Sequence, residues 1–269
     1  MHATVCLRRG FWSRSLEEFK RLSQIALRSE GIKGPSGPYQ LHSFHDRESI
    51  TRCKTMSDID VGGFSKSHLD WVSSQAVSEP GPPSTATAPA AYARFHGIIS
   101  TELPSGRPDV QRTGYAAWRT LDQPRTLFGK SLWNIDSYAY LAMRVKSDGR
   151  SYFVNVQTES LVPTDLHQHR LFSKTPGSWE TILIRWSDFV RTNRGFVVEP
   201  QAEILRQKVR SVGVGLTDRV PGPFDLCIER IWATNDECEA DNVSFRRSSE
   251  GGLRNKHGET VSWGGTGVR

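Results

Sequence analysis

The sequence predicts an all-β protein built as a two-sheet sandwich. Three observations carry this. About nine or ten short runs alternate apolar and polar residues with the period of a pleated strand. Gly/Pro-rich turns and irregular loops join them, with no alternation of helices and strands of the kind that builds a parallel sheet. The 269 residues include 8 Trp and 12 Phe, enough to fill a core between two layers.

In chain order, Ser13 to Ser29 is the exception to the strand pattern. Leu16, Phe19, Leu22, Ile25 and Ala26 recur at helical spacing, Ser13 or Ser15 can cap the start, and Gly31 stands near the end. A Gly/Pro linker, 31–38, follows. Tyr39 to His45 and Thr51 to Met56 are the first strands expected, and Ser57 to Ser65 is a turn-rich connection before a strand at His68 to Val72. Residues 79–91 are rich in Pro, Ala, Ser and Thr without periodicity, and are expected to be a disordered insertion. Ala91 to Ser100 and Gly114 to Thr120 are strands, and Leu127 to Ser137 is a helical turn or a short crossing segment. Residues 159–177 form a long connection, and Trp179 to Arg185 is a further strand. Arg194 and Gly195 mark a turn. Val209 to Thr217 and Phe224 to Ile231 are the last two strands, either side of a turn forced by Pro221, Gly222 and Pro223. The organisation expected is a basic segment, helix and linker (1–38), a sandwich domain (39–235) and a flexible tail (236–269).

The centre of this plan is Tyr138 to Thr158, where two period-2 runs flank Asp148 and Gly149. Asp-Gly is a strong two-residue hairpin signal, because a type I′ turn needs positive φ and Gly takes it without steric cost. That turn would set Val145 opposite Tyr152, Met143 opposite Val154 and Leu141 opposite Val156, leaving an alternate face of Tyr140, Arg144, Phe153, Asn155 and Gln157.

Composition narrows the function. The formal net charge is +6, but cations alternate with acids and no run forms a nucleic-acid patch. Cys6, Cys53, Cys227 and Cys238 show neither a paired CxxC motif nor zinc spacing, so reduced thiols are expected rather than a disulfide framework. Asn242 to Ser244 fits the glycosylation tripeptide, a pattern common by chance. No apolar run approaches the ~18 residues of a membrane span. The first sixteen residues carry Arg8, Arg9 and Arg14 and no acid, which suits an organellar transit peptide or an ordinary basic helix.

No catalytic motif stands out: there is no GxSxG, P-loop, dinucleotide fingerprint or HExxH. His167 and His169 would put two imidazoles on one side of a strand, a metal-binding spacing, but without a third ligand nearby two solvated histidines are the plainer reading. Asp58 and Asp60 make half of a calcium loop and lack the further acids one needs. Neither a cofactor nor a metal is expected. The candidate site is instead an interaction face of Tyr138, Tyr140, Arg144, Phe153, Asn155 and Gln157. Three readings of it stand: covered by loops, binding sugar by aromatic stacking and amide donors, or anchoring a protein partner.

An ordered set of short motifs runs from about residue 40 to 235. It comprises Ser57, Asp58, Gly62, Gly63 and Ser65; Phe95 to Ser100; Arg112 to Tyr115; Leu141, Arg144, Val145 and Asp148 to Arg150; and Val154 to Val156. It continues through Trp179 and Glu180, Asn193 to Gly195, Val212 to Val214, and Gly222 to Phe224 with Leu226, Ile228 and Ile231. The set resembles the complex I intermediate-associated protein 30 family. That resemblance implies a galactose-binding-like jelly roll and a non-enzymatic assembly factor of mitochondrial NADH:ubiquinone oxidoreductase. It would bind complex I subunits in membrane-arm intermediates and other assembly factors, in the matrix or peripherally at the inner membrane. It implies no catalytic residues. The alternatives are a carbohydrate-binding sandwich module and, more weakly, a metal enzyme or hydrolase using His167 and His169.

Overall fold

The computed structural model describes residues 10–28, 37–73, 89–127, 129–160 and 162–240. Helix α1 (Phe11–Arg28) leads into β1 (Tyr39–Ser43), a single helical turn α2 (Glu48–Thr51), β2 (Cys53–Ser57), β3 (Lys66–Ser73) and β4 (Ala91–Ile99). Then come β5 (Ala116–Thr120), β6 (Tyr140–Ser147), β7 (Tyr152–Thr158), β8 (Asp165–Arg170) and β9 (Trp179–Arg185). The chain continues through β10 (Val190–Asn193), β11 (Phe196–Val197), β12 (Val209–Leu216) and β13 (Gly222–Thr234). The expected insertion at 79–91 lies outside the described residues, save its end at Ala91 where β4 opens. The tail beyond 240, the glycosylation tripeptide, Cys6 and residues 1–9 also lie outside them.

Two antiparallel sheets pack face to face, so the expected all-β sandwich is the one observed. The first runs β3-β4-β13-β6-β9, with β1 also paired to β13; the second runs β11-β10-β8-β7-β12-β5-β2. Period-2 alternation places the core. Phe95, Leu141, Met143, Val145, Ile182, Phe224, Leu226 and Ile228 face inward from the first sheet. Trp118, Tyr152, Val154, Val156, Val212, Val214 and Leu216 meet them from the second. Each such Val, Leu or Ile contributes about 1.5–3 kcal/mol by leaving water.

The expected central hairpin does not form. β6 pairs with β13 and β9 in the first sheet, and β7 pairs with β12 and β8 in the second. Both edges of each strand are taken, and residues 148–151 carry the chain from one sheet to the other. Leu141, Met143 and Val145 still face Tyr152, Val154 and Val156, but across the core rather than along a ladder.

Side chains of the Asp-Gly-Arg triplet build this corner. Asp148 Oδ2 accepts from the Asp225 backbone N–H at 2.8 Å and from the Tyr152 hydroxyl at 3.1 Å. The Arg150 guanidinium donates to Asp218 at 3.0 and 2.8 Å and to the carbonyls of Gly222 and Pro223 at 3.1 and 2.8 Å. Gly149 does take positive φ, +92°, and a Cβ there would lie 3.3 Å from Pro176 Cγ. Gly149→Val is therefore expected to cost about 1–3 kcal/mol, a fall of a few degrees in the thermal midpoint read by calorimetry. The sandwich changes the reason for this expectation, from a hairpin turn to a sheet-to-sheet corner, but not its sign.

Other departures are smaller. The 159–177 connection contains a strand, β8, and the Arg194–Gly195 turn joins β10 to β11. Among the described residues of Leu127 to Ser137 there is no helix; Trp133 bridges to Val209 instead. Pro223 sits inside the start of β13, with the turn before it. The expected tail begins with a 3-10 turn, Glu237–Glu239, packed on the first sheet.

Candidate interaction faces

Because β6 and β7 enter different sheets, the six candidate residues do not share a surface. Tyr140 and Arg144 point outward from the first sheet, and Phe153, Asn155 and Gln157 point outward from the second, on the far side of the molecule. Tyr138 belongs to the core, its hydroxyl donating to the Gly37 carbonyl at 3.1 Å.

At Tyr140 the chain after β13 lies over the outer face of the first sheet. Tyr140, Ala142, Leu183 and Trp232 form a small apolar cluster outside the first sheet, and Ala240 packs on it. Trp232 Nε1 donates to Glu239 Oε2 at 2.6 Å, and the Tyr140 hydroxyl donates to Glu237 Oε1. Arg144 donates to Thr181 Oγ1 at 3.1 Å and lies 3.9 Å from Glu229.

The rest of that face is more open and chemically mixed. Tyr92 and Trp179 meet edge to face at 5.2 Å, and Arg230 lies 4.3 Å over the Trp232 ring. Arg94 grips Asp225 with two nitrogens, at 3.0 and 2.7 Å. Trp, Tyr and Arg are the residue types that anchor protein partners. Only Tyr140 and Arg144 of this group were legible beforehand. The others lie on β4, β9 and β13, which become neighbours of β6 only in the folded sheet.

On the second sheet the outward residues form an amide ladder. Gln168 Nε2 donates to Asn155 Oδ1 at 2.7 Å, and Thr192 Oγ1 donates to Gln168 Oε1 at 2.8 Å. Gln157 accepts from Ser211 at 3.3 Å and donates to the Pro163 carbonyl at 2.7 Å. These amides are therefore largely spent on one another and on the loop that follows β7.

Of the histidine pair, His167 is buried and His169 half-buried. His167 and His169 lie on β8 and point inward, and burial lowers both pKa values. His167 is 5% exposed, and neither of its ring nitrogens has a hydrogen-bond partner. The His169 ring lies 5.7 Å from Phe189. His42, in β1, is pushed by burial and by the Arg52 charge down to about 4. Beside it, burial pushes the Cys53 thiol up to about 12, with its sulfur 3.4 Å from His42 Nε2.

An imidazole with a folded pKa below the unfolded value of about 6.5 binds fewer protons folded than unfolded. Stability is then complete above pH ~6.5 and falls as pH drops towards the folded pKa, about 4 for His42. Urea midpoints are expected to fall between pH 7 and pH 5, with a shallower slope in His42→Phe. An unchanged slope in that variant would remove His42 from the account.

Asp58 is also structural. Its carboxylate is fully buried and accepts from the Ser65 backbone N–H and hydroxyl, both at 2.8 Å, and from the Gly114 N–H at 2.6 Å. A Cβ on Gly63 would meet this carboxyl group at 2.5 Å, so the glycine is needed for close approach. Asp60 is exposed. Among the described residues no three His, Cys, Asp or Glu side chains are placed to hold a metal ion.

The Asp58, Gly63, Ser65 and Gly114 clamp uses residues of the ordered motif set, as does the Asp148–Arg150 corner. Residues 42–228 match the complex I intermediate-associated protein 30 family. The chain belongs to that family. Among its relatives, complex I intermediate-associated protein 30, mitochondrial, of Neurospora crassa is 56% identical over 98% of each chain. The mouse protein of the same name is 25% identical over 87% of this chain and 70% of its own. Among solved structures, the family 11 carbohydrate-binding module of a Clostridium thermocellum cellulosomal cellulase is 15% identical, covering 75% of this chain and 96% of that one at a TM-score of 0.49. No helix among the described residues is long and apolar enough to cross a membrane.

Proposed function

We propose that this protein is a non-enzymatic assembly factor of mitochondrial complex I. It binds membrane-arm intermediates and other assembly factors in the matrix or at the matrix face of the inner membrane. The observation that carries the reading is family membership across the whole sandwich, with a relative more than half identical along nearly its full length. The geometry is consistent with it. The motif residues Asp58, Gly63 and Arg150 serve as structural clamps, and the histidines are buried among apolar and aromatic side chains. The outer face of the first sheet offers Tyr92, Trp179, Arg94 and Arg230 as anchors.

The test is capture of the endogenous protein from detergent-solubilised mitochondria, followed by native electrophoresis and mass spectrometry. Co-migration with complex I subunits is expected, and migration with none of them would end the proposal. Trp179→Ala is expected to weaken capture about tenfold or more while leaving the unfolding midpoint near that of the parent. Capture unchanged in that variant would move the interface off this face.

A further inference from the structure

Helix α1 rests on the sandwich along its apolar side without covering it. Among its described side chains Ser15 is the buried one, 3% exposed, with its hydroxyl accepting from the Leu127 backbone N–H at 3.1 Å. Flanking it, Trp12 is 73% exposed, Leu16 55% and Phe19 56%. At helical spacing these three fall on one side. Leu127, where the helix touches the sandwich, is itself 59% exposed and extends the same patch.

The sandwich beside this patch is basic. On the helix, the described side chains are balanced, Arg14 and Lys20 against Glu17 and Glu18. At the same end of the sandwich, Glu159 sits among Lys130, Lys208 and Arg210, and Asp122 pairs with Arg210 and Arg119. That sandwich set has four cations to two acids, a net +2.

We infer that this end of the protein docks on an anionic lipid bilayer, with α1 lying in the interface and inserting Trp12, Leu16 and Phe19 between headgroups. The helix is too polar to span. A Trp/Phe/Leu stripe bordered by Lys and Arg is the pattern of a helix that lies in the membrane surface. The cations beside it add attraction to acidic lipids that fades within a Debye length. A second copy is the weaker occupant, because a two-fold contact would set net +2 against net +2. The inference rests on the proposed location at the matrix face of the inner membrane and adds to it the surface and the lipid class.

Flotation of the full chain with vesicles tests it. Binding is expected to vesicles of phosphatidylcholine mixed with cardiolipin, to weaken with salt, and to be slight on phosphatidylcholine alone. Trp12→Glu combined with Leu16→Glu is expected to weaken vesicle affinity about a hundredfold. Both side chains are exposed, so the unfolding midpoint should not move. Leu127→Glu, on the sandwich side of the patch, is expected to weaken it about tenfold.

Failure of the parent to float overturns the inference. So does equal flotation of the double variant, which would put any membrane contact elsewhere, for example at the exposed Ile59 and Phe64 of the opposite end. A concentration-dependent dimer abolished by the double variant, with vesicle binding intact, assigns the patch to self-association and also overturns it. Vesicle binding without capture of any complex I subunit keeps this inference and removes the assembly reading, and capture without vesicle binding does the reverse.

Discussion

Asp58→Ala is expected to lower the free energy of unfolding by about 3–5 kcal/mol, read as a shift of the urea midpoint at constant slope. The carboxylate is fully buried and accepts three hydrogen bonds, from the Ser65 N–H and hydroxyl and the Gly114 N–H. Each charge-assisted bond of this kind is worth about 1.5–3 kcal/mol, offset in part by the cost of holding a charge out of water. Truncation removes all three at once and leaves the N–H groups of Ser65 and Gly114 buried without that partner, which is the more damaging part. Asp58→Asn keeps the shape and acceptor strength of one oxygen only, and should recover part of the loss. Asp60→Ala, two residues away and exposed, is expected to stay within about 0.5 kcal/mol of the parent. Equal effects at the two positions would show that the pair acts together and that the clamp has been misassigned.

Arg150→Ala is the second large effect, expected at about 2–4 kcal/mol. Arg150 and Asp218 have side chains only 14% and 12% exposed, so removing the guanidinium strands a nearly buried carboxylate. It also frees the carbonyls of Gly222 and Pro223 at the mouth of β13. The planar fork matters as well as the charge. Arg150→Lys keeps the cation but cannot serve Asp218 and two carbonyls together, so less than half of the stability should return. Hydrogen exchange at β13 offers a local readout, with faster exchange expected near Phe224 and Leu226 in the alanine variant. A lysine variant as stable as the parent would show that charge alone holds the corner.

Both predictions concern residues that the sequence marked without explaining. Asp58, Gly62 and Gly63 read locally as a turn. Nothing near them in the chain says that the acceptor will be filled by Gly114, 56 positions on. Asp148 and Gly149 read as a hairpin turn, and the positive φ at Gly149 is real. Yet beside the local Arg150 N–H, the donors that use Asp148 come from β7 and β13. A local motif fixes a local backbone shape and leaves open what that shape connects.

The sequence by itself determined the buried side of the two runs around Asp148 and Gly149, the helix before the linker, the absence of helix–strand alternation and the family to which the chain belongs. These follow from side-chain chemistry repeated at fixed spacing, which needs no knowledge of neighbours. Only the tertiary structure decided which strands lie side by side, and so placed Tyr140 and Asn155 on opposite surfaces, buried His167 and turned Trp12 outward. Strand edges are backbone, alike in every residue except proline, so their hydrogen bonds do not name a partner. That choice is made by how two whole sheets close over one core, a property of the entire chain rather than of any stretch within it.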